Sequence, residues 1–78
     1  MKYNVRYVHK ISPRASDTMG PVEVPDNCFS NRNTLAAALR KAKVLESGGR
    51  LLSFRTEGAK VVAFPMKSIW HSVILTPA

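Results

Sequence analysis

Apolar and polar positions alternate at the start of the chain. In residues 2–10, KYNVRYVHK, the side chains of Tyr3, Val5 and Tyr7 fall on one side, and those of Lys2, Asn4 and Arg6 on the other. Period two is the mark of a strand with one buried and one wet face. Residues 11–20, ISPRASDTMG, collect Pro, Ser, Asp and Gly and are expected to form a loop. Pro21-Val22-Glu23-Val24-Pro25 follows as a short extended piece. Proline at both ends suits only an edge strand, because proline has no amide to give to a neighbour.

The period then changes. Leu35, Ala38, Leu39, Ala42 and Leu45 fall on one stripe at helical spacing, with Arg32, Arg40, Lys41 and Lys43 around the remaining surface. Ser30 or Asn33 is expected to cap the start by accepting a free first-turn amide. Ser47-Gly48-Gly49 ends the helical region. The helix itself is expected to stop near Ala42, with Lys43 turning the chain and Val44 folding back as the apolar contact after the cap. Residues 50–64 have the pattern of a hairpin, with strands Arg50–Arg55 and Lys60–Phe64 and the turn Thr56-Glu57-Gly58-Ala59 between them. Leu52 and Phe54 are expected on one face, Ser53 and Arg55 on the other. Pro65-Met66-Lys67-Ser68 breaks the run, and Ile69–Thr76 is a final strand rich in branched and aromatic residues.

The expected class is therefore α+β: a small antiparallel sheet of four to five strands, covered on one face by a single helix, in the order β-β-α-β-β-β. One helix covers one sheet face. The other is left to water or to a partner, and it displays Lys2, Arg6, Lys10, Ser53 and Arg55, with Trp70 or His71 joining them according to register. At 78 residues the chain is expected to be a single domain, 1–78, with a thin core that leaves room for a homodimer.

Charge sharpens this picture. Lys and Arg number 12 against five acids, a net charge of +7, yet the stretch Ala15–Phe29 holds Asp17, Glu23 and Asp26 and no cation. A basic body with an acidic edge is suited to an anionic surface. Cations on an open sheet face neutralise phosphates, and an aromatic ring stacks on a base. Lys2, Arg6, Lys10, Arg55 and Trp70 are the candidate contacts, with Arg40 and Lys41 as a second surface along the helix. The competing interpretation of every one of these charges is an ordinary solvated face. The acids beside the edge strand are suited to discouraging sheet-to-sheet aggregation.

Other chemistry has less support. His9 and His71 are the only side chains with an ordinary pKa near neutrality. His71 as general base with Arg55 as charge stabiliser would suit RNA cleavage. The arrangement is similar to that of small toxin ribonucleases with a double-stranded-RNA-binding fold, which carry a glycine-serine-histidine motif on the strand after the first helix. The matching stretch here is Gly48-Gly49-Arg50-Leu51, without histidine, so no catalytic residue is assigned. Cys28 precedes the helix, where a lowered pKa would make it nucleophilic, but a single cysteine is more commonly a buried structural residue. Two distant histidines and one cysteine form no recognisable metal site, and no glycine-rich loop opens a helix, so neither a metal nor a cofactor is expected.

No apolar run approaches the ~20 residues of a membrane span. The N-terminus lacks the apolar core of a signal peptide, and a lone cysteine suits a reducing, cytoplasmic setting. The leading expectation is a non-catalytic basic binding module for nucleic acid or a nucleoprotein. The alternatives are an inhibitor that docks on an acidic protein surface and a ribonuclease toxin. The inhibitor would resemble, in size and architecture alone, the small anti-CRISPR proteins of phages and mobile elements.

Overall fold

The computed structural model describes residues 1–12 and 16–78. Among the described residues the chain forms five strands, a 3-10 turn and one α-helix. They run in the order β1 (Lys2–His9), β2 (Ser16–Glu23), η1 (Asp26–Ser30), α1 (Arg32–Lys41), β3 (Leu51–Glu57), β4 (Lys60–Pro65) and β5 (Trp70–Pro77). The strands make one antiparallel sheet in the order β2-β1-β5-β4-β3. This is the α+β class expected from the sequence, with strand order β-β-α-β-β-β along the chain.

The topology explains how one helix covers the sheet. β2 and β3 are the two edges, so the connection that carries η1 and α1 crosses the whole of one face. Along that face lie Tyr3, Val5, Leu51, Val61, Ala63, Val73 and Leu75, buried beneath Leu35, Ala36 and Leu39 of the helix. Register holds the face together: Val5 pairs with Leu75, Leu75 with Val61, Tyr7 with Val73 and Val73 with Ala63.

Both helix ends are built by local chemistry. Asn31, not Ser30 or Asn33, is the N-cap, and its Oδ1 accepts from the Thr34 amide at 2.9 Å. At the other end Ala42 is the C-cap and Lys43 adopts a left-handed φ of 63°. The Val44 amide donates to the Leu39 carbonyl at 2.8 Å, and the Lys43 amide to that of Arg40 at 3.1 Å. This is the two-bond closure that a glycine usually makes, and it buries Val44 as the sequence implied.

Two further expectations are corrected. The loop expected over 11–20 is in part a strand, because residues 16–20 open β2; residues 13–15 lie outside the described residues. Pairing with β1 on one side sustains an edge strand whose own residues have little strand propensity. Thr18 sits opposite Arg6 and Asp17 opposite Tyr7. Leu52, expected beside Phe54 on the core face, is instead 54% exposed. The β3–β4 register slips between Leu51 and Ser53, and the extra residue in that bulge is turned outwards.

Candidate functional site

The uncovered face carries the site. Its central row crosses the sheet from Thr18 to Arg6, Ile74, Val62 and Arg55, each opposite the next on the neighbouring strand. Arg6 and Arg55 therefore share the open face. They are separated by three inter-strand steps of ~4.8 Å, or about 14 Å between backbones. Val62 is buried and Ile74 half-buried between them, so the row presents an apolar centre with an arginine at each side.

The cations differ in how free they are. Arg6 is exposed and makes no ion pair among the described residues. Arg55 Nε lies 2.5 Å from Glu57 Oε2, and Lys60 Nζ lies 3.7 Å from the other oxygen of that carboxylate. The Arg55 guanidinium also sits 5.5 Å from the centre of the Phe64 ring, within cation–π range. Lys2 stands opposite Glu23. The hydrogen bond from the Met1 amine, then the charge of that amine, and last the charge of Lys2 hold the Glu23 carboxyl below its ordinary range.

Charged groups gather at both ends of the sheet. Where β1 begins and β2 and β3 finish, Glu23, Asp26 and Glu57 lie beside the Met1 amine, Lys2 and Lys60. The opposite end gathers Lys10 after β1, Arg50 before β3 and Lys67 between β4 and β5, with Asp17 and Glu46 as the acids near it. Lys10 is bound into this end through its amide, which donates to the Ile69 carbonyl at 2.9 Å. Arg50 and Lys67 were not singled out from the sequence. Only the antiparallel closure of the sheet brings their loops beside Lys10.

At the same end the open face is dented. A hollow of about 410 Å³ is walled by Leu52, Ser53, Phe64, Trp70 and His71, with Lys10 on its rim. Two irregularities shape it. The bulge at Leu52 turns that side chain out, and a second bulge in the β1–β5 register, opposite Val8 and His9, has His71 as its extra residue. His71 is exposed and meets the Phe64 ring edge to face, with centres 5.9 Å apart. Arg55 and His71 thus converge on one aromatic ring.

Trp70 lines the hollow and also packs towards the helix side. Its ring packs 5.1 Å from Tyr7 and 5.8 Å from His9. Tyr7 belongs to the helix side, where its hydroxyl donates to the Val44 carbonyl at 2.6 Å and burial raises its pKa. Trp70 is therefore a half-buried wall at the sheet end, and Phe64 with His71 is the aromatic pair the open face offers.

The helix surface is less available than its composition suggests. Arg32 Nη1 donates to the Leu52 carbonyl at 3.0 Å, and Arg40 Nη1 to the Gly49 carbonyl at 2.6 Å. Arg32 holds the backbone of β3 and Arg40 that of the loop before it, while Lys41 and Lys43 extend into solvent. Cys28 is buried, and its desolvation pushes the thiol pKa up. Among the described residues no three of His, Cys, Asp and Glu come together as metal ligands, and no helix is long and apolar enough to cross a membrane. Comparison with protein-family models, curated proteins and solved structures returns no match.

Proposed function

We propose that this protein is a non-catalytic binding module that meets nucleic acid, free or in a nucleoprotein, through its open sheet face. The observation that carries the proposal is the single cross-strand row holding Arg6 and Arg55. Two guanidiniums spaced across an uncovered sheet give a polyanion two fixed anchoring points, and the +7 net charge draws it in. Lys10, Arg50 and Lys67 add cations at one end of the sheet. Lys2 and Lys60, each beside a glutamate, add less.

The test is a titration of labelled mixed-sequence RNA and DNA over a range of salt concentrations. Binding should weaken steeply with salt. Replacing Arg6 and Arg55 together with Ala should lower the slope of log affinity against log salt by about 1.5, the loss of two phosphate contacts. Absence of binding to either nucleic acid at low salt removes the proposal. RNA left intact after incubation agrees with a non-catalytic role. Cleavage that disappears in His71→Ala would replace it with a ribonuclease.

A further inference from the structure

We infer that the hollow beside Phe64 is a base-stacking subsite, and that the nucleic acid this protein takes is single-stranded. This rests on the proposed open-face interface and adds to it the class of strand and the place where a base is held.

Three observations converge. First, the hollow is of small-ligand size, about 410 Å³, on a sheet face that no other element covers. Second, its walls suit a flat heteroaromatic ring: Leu52 on one side, His71 on the other, the half-buried Phe64 between them, and Pro65 and Trp70 completing the lining. Leu52 is an apolar side chain left 54% exposed by a bulge, and His71 is the extra residue of a second bulge. Regular register would have given Leu52 to the core. Third, cations border the aromatic pair. Lys10 is on the rim, and the Arg55 guanidinium sits 5.5 Å from the Phe64 ring centre. An apolar slot with cations beside it matches an unpaired nucleotide, whose base is flat and uncharged and whose phosphates are anionic. A paired base within a duplex offers no free face to such a slot. A purely acidic protein surface would use the cations and leave the slot empty.

The stacking wall and the phosphate contacts can be separated by substitution. Leu52 and His71 are both exposed, so Leu52→Ala and His71→Ala should leave the fold intact. Neither removes a cation of the arginine row. The experiment measures fluorescence anisotropy with three labelled probes of equal length: a mixed-sequence single strand, the same backbone without bases, and the duplex. The native protein should prefer the single strand with bases by about ten-fold over both others, the order of one stacked base. Leu52→Ala and His71→Ala should each cut that preference to about three-fold or less, with the salt slope unchanged. Arg6→Ala should do the reverse, lowering the slope and keeping the preference. Equal affinity for all three probes overturns the stacking subsite and leaves the arginine row standing. A preference for single strands that survives both wall substitutions also overturns it. Failure to bind any probe at low salt removes both proposals.

Discussion

Arg6 on β1 and Arg55 on β3 stand in one row across the open face, with Ile74 and Val62 between them. The two arginines differ in one respect: Arg55 shares Glu57 with Lys60, and Arg6 has no acidic partner among the described residues. An exposed pair of this kind contributes little to stability, about 0.2–1 kcal/mol, but it withholds a cation from a ligand. Glu57→Gln should therefore tighten nucleic-acid binding about three-fold while moving the unfolding free energy by less than about 1 kcal/mol. Parallel binding and urea-denaturation curves would check both halves.

The helix ends give opposite expectations. Asn31→Ala removes the side-chain acceptor of the Thr34 amide and should cost about 1 kcal/mol. Lys43 holds a left-handed φ of 63°, a conformation that costs a residue with a side chain about 1–2 kcal/mol. Lys43→Gly relieves that strain but adds backbone freedom to the unfolded chain, so the net gain should be about 0.5–1 kcal/mol. Urea midpoints for the two variants should move in opposite directions from that of the native protein.

Gly20 in β2 is a position where no side chain fits. Its φ is +116°, and an added Cβ would lie 3.0 Å from the Tyr3 carbonyl oxygen and 3.4 Å from the Asn4 Cα, both backbone atoms of β1. Gly20→Ala should cost about 1–3 kcal/mol. Hydrogen exchange should show the loss as faster exchange along the β1–β2 ladder.

Cys28 should be inert while the protein is folded. Burial raises its thiol pKa, so the reactive thiolate is scarcer near neutral pH than for a free cysteine and becomes abundant only at higher pH than usual. A thiol reagent at neutral pH should label the native protein far more slowly than the urea-unfolded one. Comparable rates would contradict the burial.

How much of this was legible in the sequence depends on where periodicity was clean. Tyr3, Val5 and Tyr7 announced β1, and the Leu35–Leu39 stripe announced the helix, because each element buries one face and its spacing records which. The turn at Lys43 was readable from the apolar Val44 that follows it. The β2 strand was not readable over Ser16–Gly20, since an edge strand paired on one side and wet on both faces leaves no alternation. Placing Arg6 and Arg55 on one face needed only alternation within β1 and β3. The Phe64 hollow was hidden because it depends on two bulges, and a bulge shifts register through pairing with a neighbour that the sequence does not mark. Trp70 was left undecided for the same reason. Arg32 and Arg40 appear in the sequence as free helix charges because the carbonyls they hold, of Leu52 in β3 and Gly49 in the loop before it, lie outside the helix.

The proposed interface is the uncovered sheet face, not the helix. Its most direct test is a two-dimensional amide NMR titration of the labelled protein with a short single-stranded oligonucleotide at low salt. The account predicts that the amides of Arg6, Val62, Phe64, His71 and Ile74 and the side-chain Nε signal of Arg55 shift together and saturate together, while those of Leu35 to Lys41 stay in place. Shifts confined to α1 and the loop after it, or no shifts at all, would contradict it.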